Sequence, residues 1–204
     1  LPFVGTSSTF AMAPSLYKSL AYNPVKDSSP IMLVATSLEI FMVANETPFK
    51  SLKEVIEYAK AHPGTLNFGY GQGTAPQLVG EWFNKTQGLQ IASVPYRGGM
   101  QAITDMMGGT IQLNIGTTAT LLPLIREGKV RAIAQWGTTR EADLPEVPTM
   151  MEAGIAGFEY STWYGLLVPA GTPDPVINRI HDEMRKLLAG ADLREKFGSQ
   201  GVDP

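Results

Sequence analysis

Three times in this chain an apolar run gives way to a turn of glycine and small hydroxyl residues that opens a helix: Gly5-Thr6-Ser7-Ser8-Thr9, Gly71-Gln72-Gly73-Thr74, and Gly98-Gly99 ahead of Met100. Gly116-Thr117-Thr118 is a fourth, weaker instance. Repeated strand–turn–helix units predict an α/β fold with a largely parallel sheet and helices on both faces, since parallel strands need crossovers and helices supply them. Apolar spacing predicts strands at 1–6, 66–70, 91–94, 111–115 and 130–135, and helices at 11–20, 76–84 and 100–107. A further helix opens at Gly116-Thr117-Thr118 and closes at Gly128. Ser51-Leu52-Lys53-Glu54 reads as a capping box, with Leu52, Val55, Ile56 and Ala59 on one face of a helix that Pro63-Gly64 ends. In the last third, a Pro-bounded loop at 144–148 is followed by a short helix at 149–153 and an aromatic strand region at 158–168. A long helix follows, with Thr172 as N-cap, Pro173 in the first turn, and an apolar stripe of Ile177, Ile180, Met184, Leu187 and Leu188.

Composition narrows the function classes. The 204 residues carry 16 Lys+Arg against 19 Asp+Glu, a net charge of −3, without a basic block. Nucleic-acid affinity comes largely from phosphate neutralisation, so DNA and RNA are set aside. The absence of Cys removes disulfides, zinc–thiolate sites and thiol nucleophiles. The longest apolar stretch, 31–44, is interrupted by Glu39 and too short to span a bilayer; it reads as one or two buried strands. The 21 Gly and 15 Pro exceed an average share and point to many turns. The sequence begins at Leu1 with no charged n-region before it, so a targeting peptide is expected to be missing from its start.

The chemistry suggested is binding. Strand-to-helix turns present unpaired N–H groups at the positive end of a helix dipole, with hydroxyls as extra donors, and in open α/β sheets they gather at the carboxyl ends of strands. Any one such turn is also ordinary capping chemistry; together they describe a cleft of neutral donors for a small anion. A carboxylate is favoured over a phosphate, because neither G-x-x-x-x-G-K-[ST] nor a full G-x-G-x-x-G is present. His62 at a helix C-terminus and His181 beside an apolar stripe read as surface residues. Asp105 is the carboxylate to watch, Arg97 is either a carboxylate partner or a surface cation, and Phe10, Trp82 and Trp163 either wall a cleft or fill a core.

The series Leu20-Ala21-Tyr22-Asn23-Pro24-Val25-Lys26-Asp27, Phe68-Gly69-Tyr70-Gly71-Gln72-Gly73-Thr74, Val94-Pro95-Tyr96-Arg97-Gly98-Gly99, Asp105-Met106-Met107-Gly108-Gly109, Leu144-Pro145-Glu146-Val147-Pro148-Thr149 and Pro169-Ala170-Gly171-Thr172-Pro173 resembles the Bug family, the periplasmic solute-binding proteins of tripartite tricarboxylate transporters. The resemblance implies a two-lobed, type II-like Venus-flytrap binding protein, periplasmic and monomeric, that takes up a small carboxylate and delivers it to membrane permease subunits without chemistry or cofactor. It places lobe 1 at 1–43 and 137–204, lobe 2 at 44–136, and the crossings near 42–45 and 134–137. Binding roles carry over to Ser7, Ser8 and Thr9, to Gly71, Gly73 and Thr74, and to Tyr96, Gly98, Gly99 and Asp105. The family often has His where Phe10 stands, which implies a less polar ligand flank there, and Lys where Arg97 stands. Family members begin with a further strand and glycine-rich loop and end with a further helix, so lobe 1 is expected to be incomplete at both chain ends. The rival readings are an α/β enzyme acting on a small carboxylate or phosphate ester, with Asp105 as base, and a ligand sensor serving a membrane receptor.

Overall fold

Pro14 shapes the first turn of the chain. In the computed structural model, which describes residues 1–157 and 159–204, β1 (Phe3–Thr6) runs into a π-helical turn, Ser8–Met12, and then α1 (Ala13–Leu16). The Ala13 N–H reaches back to the Ser8 carbonyl, a five-residue step, and Pro14 has no N–H to continue a four-residue ladder. The helix expected at 11–20 therefore starts earlier and stops at Leu16, where Tyr17 is extended. The run at 31–44 is one continuous strand, β2 (Ser28–Val43).

There follow α2 (Leu52–Ala61), β3 (Asn67–Gly71), α3 (Ala75–Thr86), β4 (Ala92–Tyr96), α4 (Gly99–Met107), β5 (Leu113–Thr117), α5 (Thr118–Arg126) and β6 (Arg131–Gln135). Ser51 caps α2 as expected, its hydroxyl accepting from the Glu54 N–H at 3.3 Å, while Glu54 reaches one residue further back, to the Lys50 N–H at 2.7 Å. Then come β7 (Ser161–Pro169), α6 (Asp174–Leu188) and α7 (Ala191–Gly198). Phe158, the first residue of the expected aromatic strand, lies outside the described residues. The N-cap of α6 is Pro173; the Thr172 hydroxyl instead donates to the Pro169 carbonyl at 2.7 Å and closes the preceding turn. The short helix expected at 149–153 is a single turn. Thr149 and Glu152 exchange N–H to side-chain bonds there like a capping box, and Gly154, at φ 88°, then turns the chain away.

The chain divides into two compact units, Leu1–Ser37 with Thr162–Pro204, and Leu38–Ser161. In the Leu38–Ser161 unit, β3 is parallel to β4 and β5, and β2 is antiparallel to β5 and β6. Four strands thus share one direction and β2 opposes them. Its alternation sends Phe41 and Val43 into one apolar cluster with Leu52, Val55, Val79 and Phe83 of α2 and α3. Ile40 and Met42 enter another with Ala102, Ile103, Leu121 and Leu122 of α4 and α5. This is a helix–sheet–helix sandwich, as the repeated units predict.

In the other unit β1 pairs antiparallel with β7, Phe3 opposite Leu167 and Thr6 opposite Tyr164. Gln135, fully buried, donates to the Leu144 and Val147 carbonyls and accepts from the Glu141 N–H. That amide, with buried Leu144, Val147, Met150 and Ile155, packs the 137–161 segment into the Leu38–Ser161 unit.

Candidate functional site

The sheet of the Leu38–Ser161 unit sets the geometry. With β3 between β5 and β4, the helices α5, α3 and α4 that follow these parallel strands begin side by side at the sheet's carboxyl edge. The second and third predicted turns are neighbours: Gly71 pairs with Tyr96, and the Gln72 N–H donates to the Tyr96 carbonyl at 2.9 Å. A Cβ on Gly71 would come within 3.0 Å of the Gly99 nitrogen, so the two turns approach this closely because Gly71 has no side chain. Gly73 takes φ 75° and its N–H donates to the Gln77 side chain at 2.8 Å. Thr74 is the N-cap of α3, but its hydroxyl donates to the Gly71 carbonyl at 2.6 Å. Both groups brace the loop.

Gly98 and Gly99 are different. Cβ atoms there would meet open space, and among the described residues the N–H groups of Gly99 and Met100, in the first turn of α4, have no partner. This is the barest donor pair at the edge, set at the positive end of a helix. Arg97, just before it, is exposed and makes no ion pair among the described residues. Tyr96 and Asp105 are joined, the phenol donating to the carboxylate at 2.8 Å, which ties α4 to the end of β4. Burial, and then this bond, push the Tyr96 phenol above its usual range. Tyr70, ahead of Gly71, is shifted the same way by burial and then by the Glu81 charge. At the weaker fourth turn, Thr117 and Thr120 share a hydroxyl contact at 3.0 Å and buried Thr118 donates to the Leu38 carbonyl.

The Gly5–Thr9 turn lies in the other unit. Ser7 is buried, Ser8 half-buried and Thr9 exposed, with the Thr9 carbonyl accepting from the Tyr22 hydroxyl at 2.6 Å. Phe10 stacks on Phe3 and tilts against Tyr22, and a Cβ on Gly5 would strike its ring. Trp82 is 40% exposed on α3. Trp163 is half-buried, with its ring against Gly165.

Sequence reasoning passed over two buried residues at the same carboxyl edge. Glu39 and Trp136 are 0% and 1% exposed, and the Trp136 N–H donates to the Glu39 carbonyl. The signal for Glu39 was present, since it is the lone acid in the run 31–44; nothing marked Trp136. Among the described residues no three His, Asp or Glu side chains cluster as a metal site, and no helix is long and apolar enough to cross a membrane.

The profile described as the tripartite tricarboxylate transporter family receptor, TctC, matches residues 3–204. The chain belongs to that family. Among curated relatives, BugT of Bordetella pertussis is 30% identical over 200 residues, covering 98% of this chain and 61% of BugT. Two further curated relatives, from Cupriavidus necator and Pseudomonas sp., are matched over 56% of their length, so the chain spans less than two thirds of these curated relatives. Rpa4515 of R. palustris, solved with adipate, superposes with a TM-score of 0.94 at 27% identity, covering 98% of this chain and 68% of that one. MatC of Rhodopseudomonas palustris, with bound malate, gives 0.89 at 28% identity, covering 98% and 69%. The receptor fold is therefore that of periplasmic binding proteins, α/β with helices flanking the sheet.

Proposed function

We propose that this receptor chain is part of an extracytoplasmic solute-binding protein that captures a small carboxylate for a tripartite tricarboxylate transporter, as a monomer and without catalysing a reaction. The observation that carries the reading is the carboxyl edge of β5-β3-β4, where three helix N-termini stand together and the turn at Gly98-Gly99 leaves the Gly99 and Met100 N–H donors open. Neutral donors at a helix start suit a carboxylate oxygen, and they hold it without a buried cation whose desolvation would oppose the binding. Gly98 and Gly99 are assigned direct contact, Gly71, Gly73 and Thr74 the bracing of the loop beside them, and Tyr96 with Asp105 the anchoring of α4. The Ser7, Ser8 and Thr9 turn is assigned a donor role on the same chemical ground, with Phe10 as its apolar flank. The two compact units are taken as the two lobes, divided at 37/38 and 161/162.

The likeness to Rpa4515, solved with adipate, and to MatC, with bound malate, supports a ligand among small dicarboxylates and hydroxycarboxylates. Asp105 already accepts a hydrogen bond from Tyr96, which suits an anchor better than a base. The test is thermal unfolding of the full-length protein with a panel of mono-, di- and hydroxycarboxylates beside phosphate and sugars. A ligand that binds only the native state raises Tm in proportion to its saturation. A rise with one or more carboxylates and none with phosphate or sugars is expected; no rise with any carboxylate rejects the proposal.

A further inference from the structure

We infer that Trp136 and Glu39 frame a site for one neutral oxygen, a water or the hydroxyl of a bound ligand, inside the Leu38–Ser161 unit. The indole Nε1 of Trp136 is fully buried and has no hydrogen-bond partner among the described residues. An indole N–H can only donate, and a buried donor left without an acceptor is unfavourable, so an acceptor from outside the chain is called for. The Trp136 ring lies on the face of the sheet that holds Phe41, stacked on it at 5.9 Å and 14° between planes. By strand alternation the Glu39 side chain leaves β2 on that same face, two residues from Phe41. Its backbone carbonyl accepts from the backbone N–H of Trp136 at 2.9 Å, so Trp136, just past the end of β6, stands opposite Glu39 of β2.

A fully buried carboxyl side chain on the same sheet face as a fully buried N–H selects the chemistry of what would join them. An oxygen bearing hydrogen accepts from the indole and donates to the carboxylate. A carboxylate ion has no hydrogen to give and would have to carry its charge into a buried site, which is costly. This makes a site for water or an alcohol rather than for another anion, and buried waters with polar partners of this kind are a regular part of protein interiors. Its place at the carboxyl edge, beside the Thr117 end of β5, which pairs with Glu39, puts it on the same rim as the donor turns. The ligand-hydroxyl form of the inference rests on the carboxylate-binding proposal; the water form does not.

High-resolution crystal structures of the full-length protein, ligand-free and soaked with malate or with succinate, test it. An oxygen 2.7–3.2 Å from Nε1 is expected. If it is present without ligand and unchanged by either soak, the occupant is water. If it appears with malate alone, the occupant is the ligand hydroxyl, and Trp136→Phe, which keeps the ring and removes the donor, should reduce the preference for malate over succinate by about tenfold while changing succinate affinity little. If neither acid binds, the choice of ligand fails, yet the density at Nε1 still decides the water site. Nε1 facing only carbon, or donating directly to a group of the protein, in every crystal overturns the inference whether or not the variant folds.

Discussion

The two compact units bury their apolar residues very unequally. Leu38–Ser161 holds both apolar clusters and the large, fully buried side chains Trp136, Phe41 and Phe83. The other unit, Leu1–Ser37 with Thr162–Pro204, buries only Ala13, Ala35, Leu167 and Val168 among its described hydrophobic residues. Its helices α6 and α7 contain no buried residue, and Val176 and Leu187 on α6 are 46% and 59% exposed. Amphipathicity makes a helix available for packing, whereas burial is what stabilises it. The first unit is thus stable through its own core, and the apolar stripe of α6 gains little in this chain from the contacts around it.

That contrast predicts where mutations register. Phe41→Ala should have the largest effect, since it removes a ring stacked on Trp136 and edge-on to Phe83 at the centre of a closed cluster. A loss of about 3–5 kcal/mol is expected by denaturant titration. Ile180→Ala, on the half-buried stripe of α6, should cost about 1 kcal/mol. Equal costs would show that α6 is as well packed as the sheet and would break the comparison.

Within the better-packed unit, glycines at the carboxyl edge separate fold from function. Gly71→Ala forces a methyl against the Gly99 nitrogen and should cost about 1–3 kcal/mol together with ligand affinity. Tyr96→Phe should cost about 0.5–1.5 kcal/mol by freeing Asp105 from its donor. The sign of its pH dependence is fixed: burial raises the folded pKa of Tyr96 above the unfolded value of 10.0, so its contribution is complete below that pH and is lost as pH rises through the folded value. The Tyr96→Phe variant should lack that alkaline loss in a pH series of unfolding midpoints. Gly98→Ala should leave stability within about 0.5 kcal/mol, because its φ of −160° is extended backbone and a Cβ there meets open space. A methyl at that place stands in the path to the bare Gly99 N–H, so carboxylate affinity measured by calorimetry should fall while the unfolding midpoint holds. A fall in both would place Gly98 among the bracing glycines.

The sequence carried the sheet and the edge because both are periodic. Turns at Gly71-Gln72-Gly73-Thr74 and Gly98-Gly99 were legible from spacing alone, and the helices after them begin where the turns end. Packing decisions were not. Nothing in the pattern around Gln135 says that its amide will hold the carbonyls nine and twelve residues downstream. The π-helical turn at Ser8–Met12 depends on which backbone bonds Pro14 leaves unmade, and Thr172 and Thr74 look like caps while their hydroxyls close turns. The orphan indole of Trp136 has no one-dimensional signature, since it arises from what fails to stand beside it.

The smallest predicted effect tests the boundary between the two units directly. Glu152 sits on the turn at 149–154, inside the segment that the Gln135 amide draws into Leu38–Ser161, and its carboxylate accepts from Arg140 Nε and from the Thr149 N–H, both at 2.8 Å. The Arg140 bond first, and the Thr149 N–H next, hold its pKa below the ordinary 4.5. A depressed folded pKa means that the unfolded chain binds the proton more readily, so the contribution is present above 4.5 and is lost as pH falls through the folded value. The pair is exposed, so its effect is small and added salt should screen it. Glu152→Gln should flatten the acid side of the stability curve slightly at low salt and not at high salt. If instead the variant loosens only the 137–161 segment in hydrogen exchange and leaves the global midpoint untouched, that segment opens independently of the core it packs on, and the two-unit division understates how many parts the chain has.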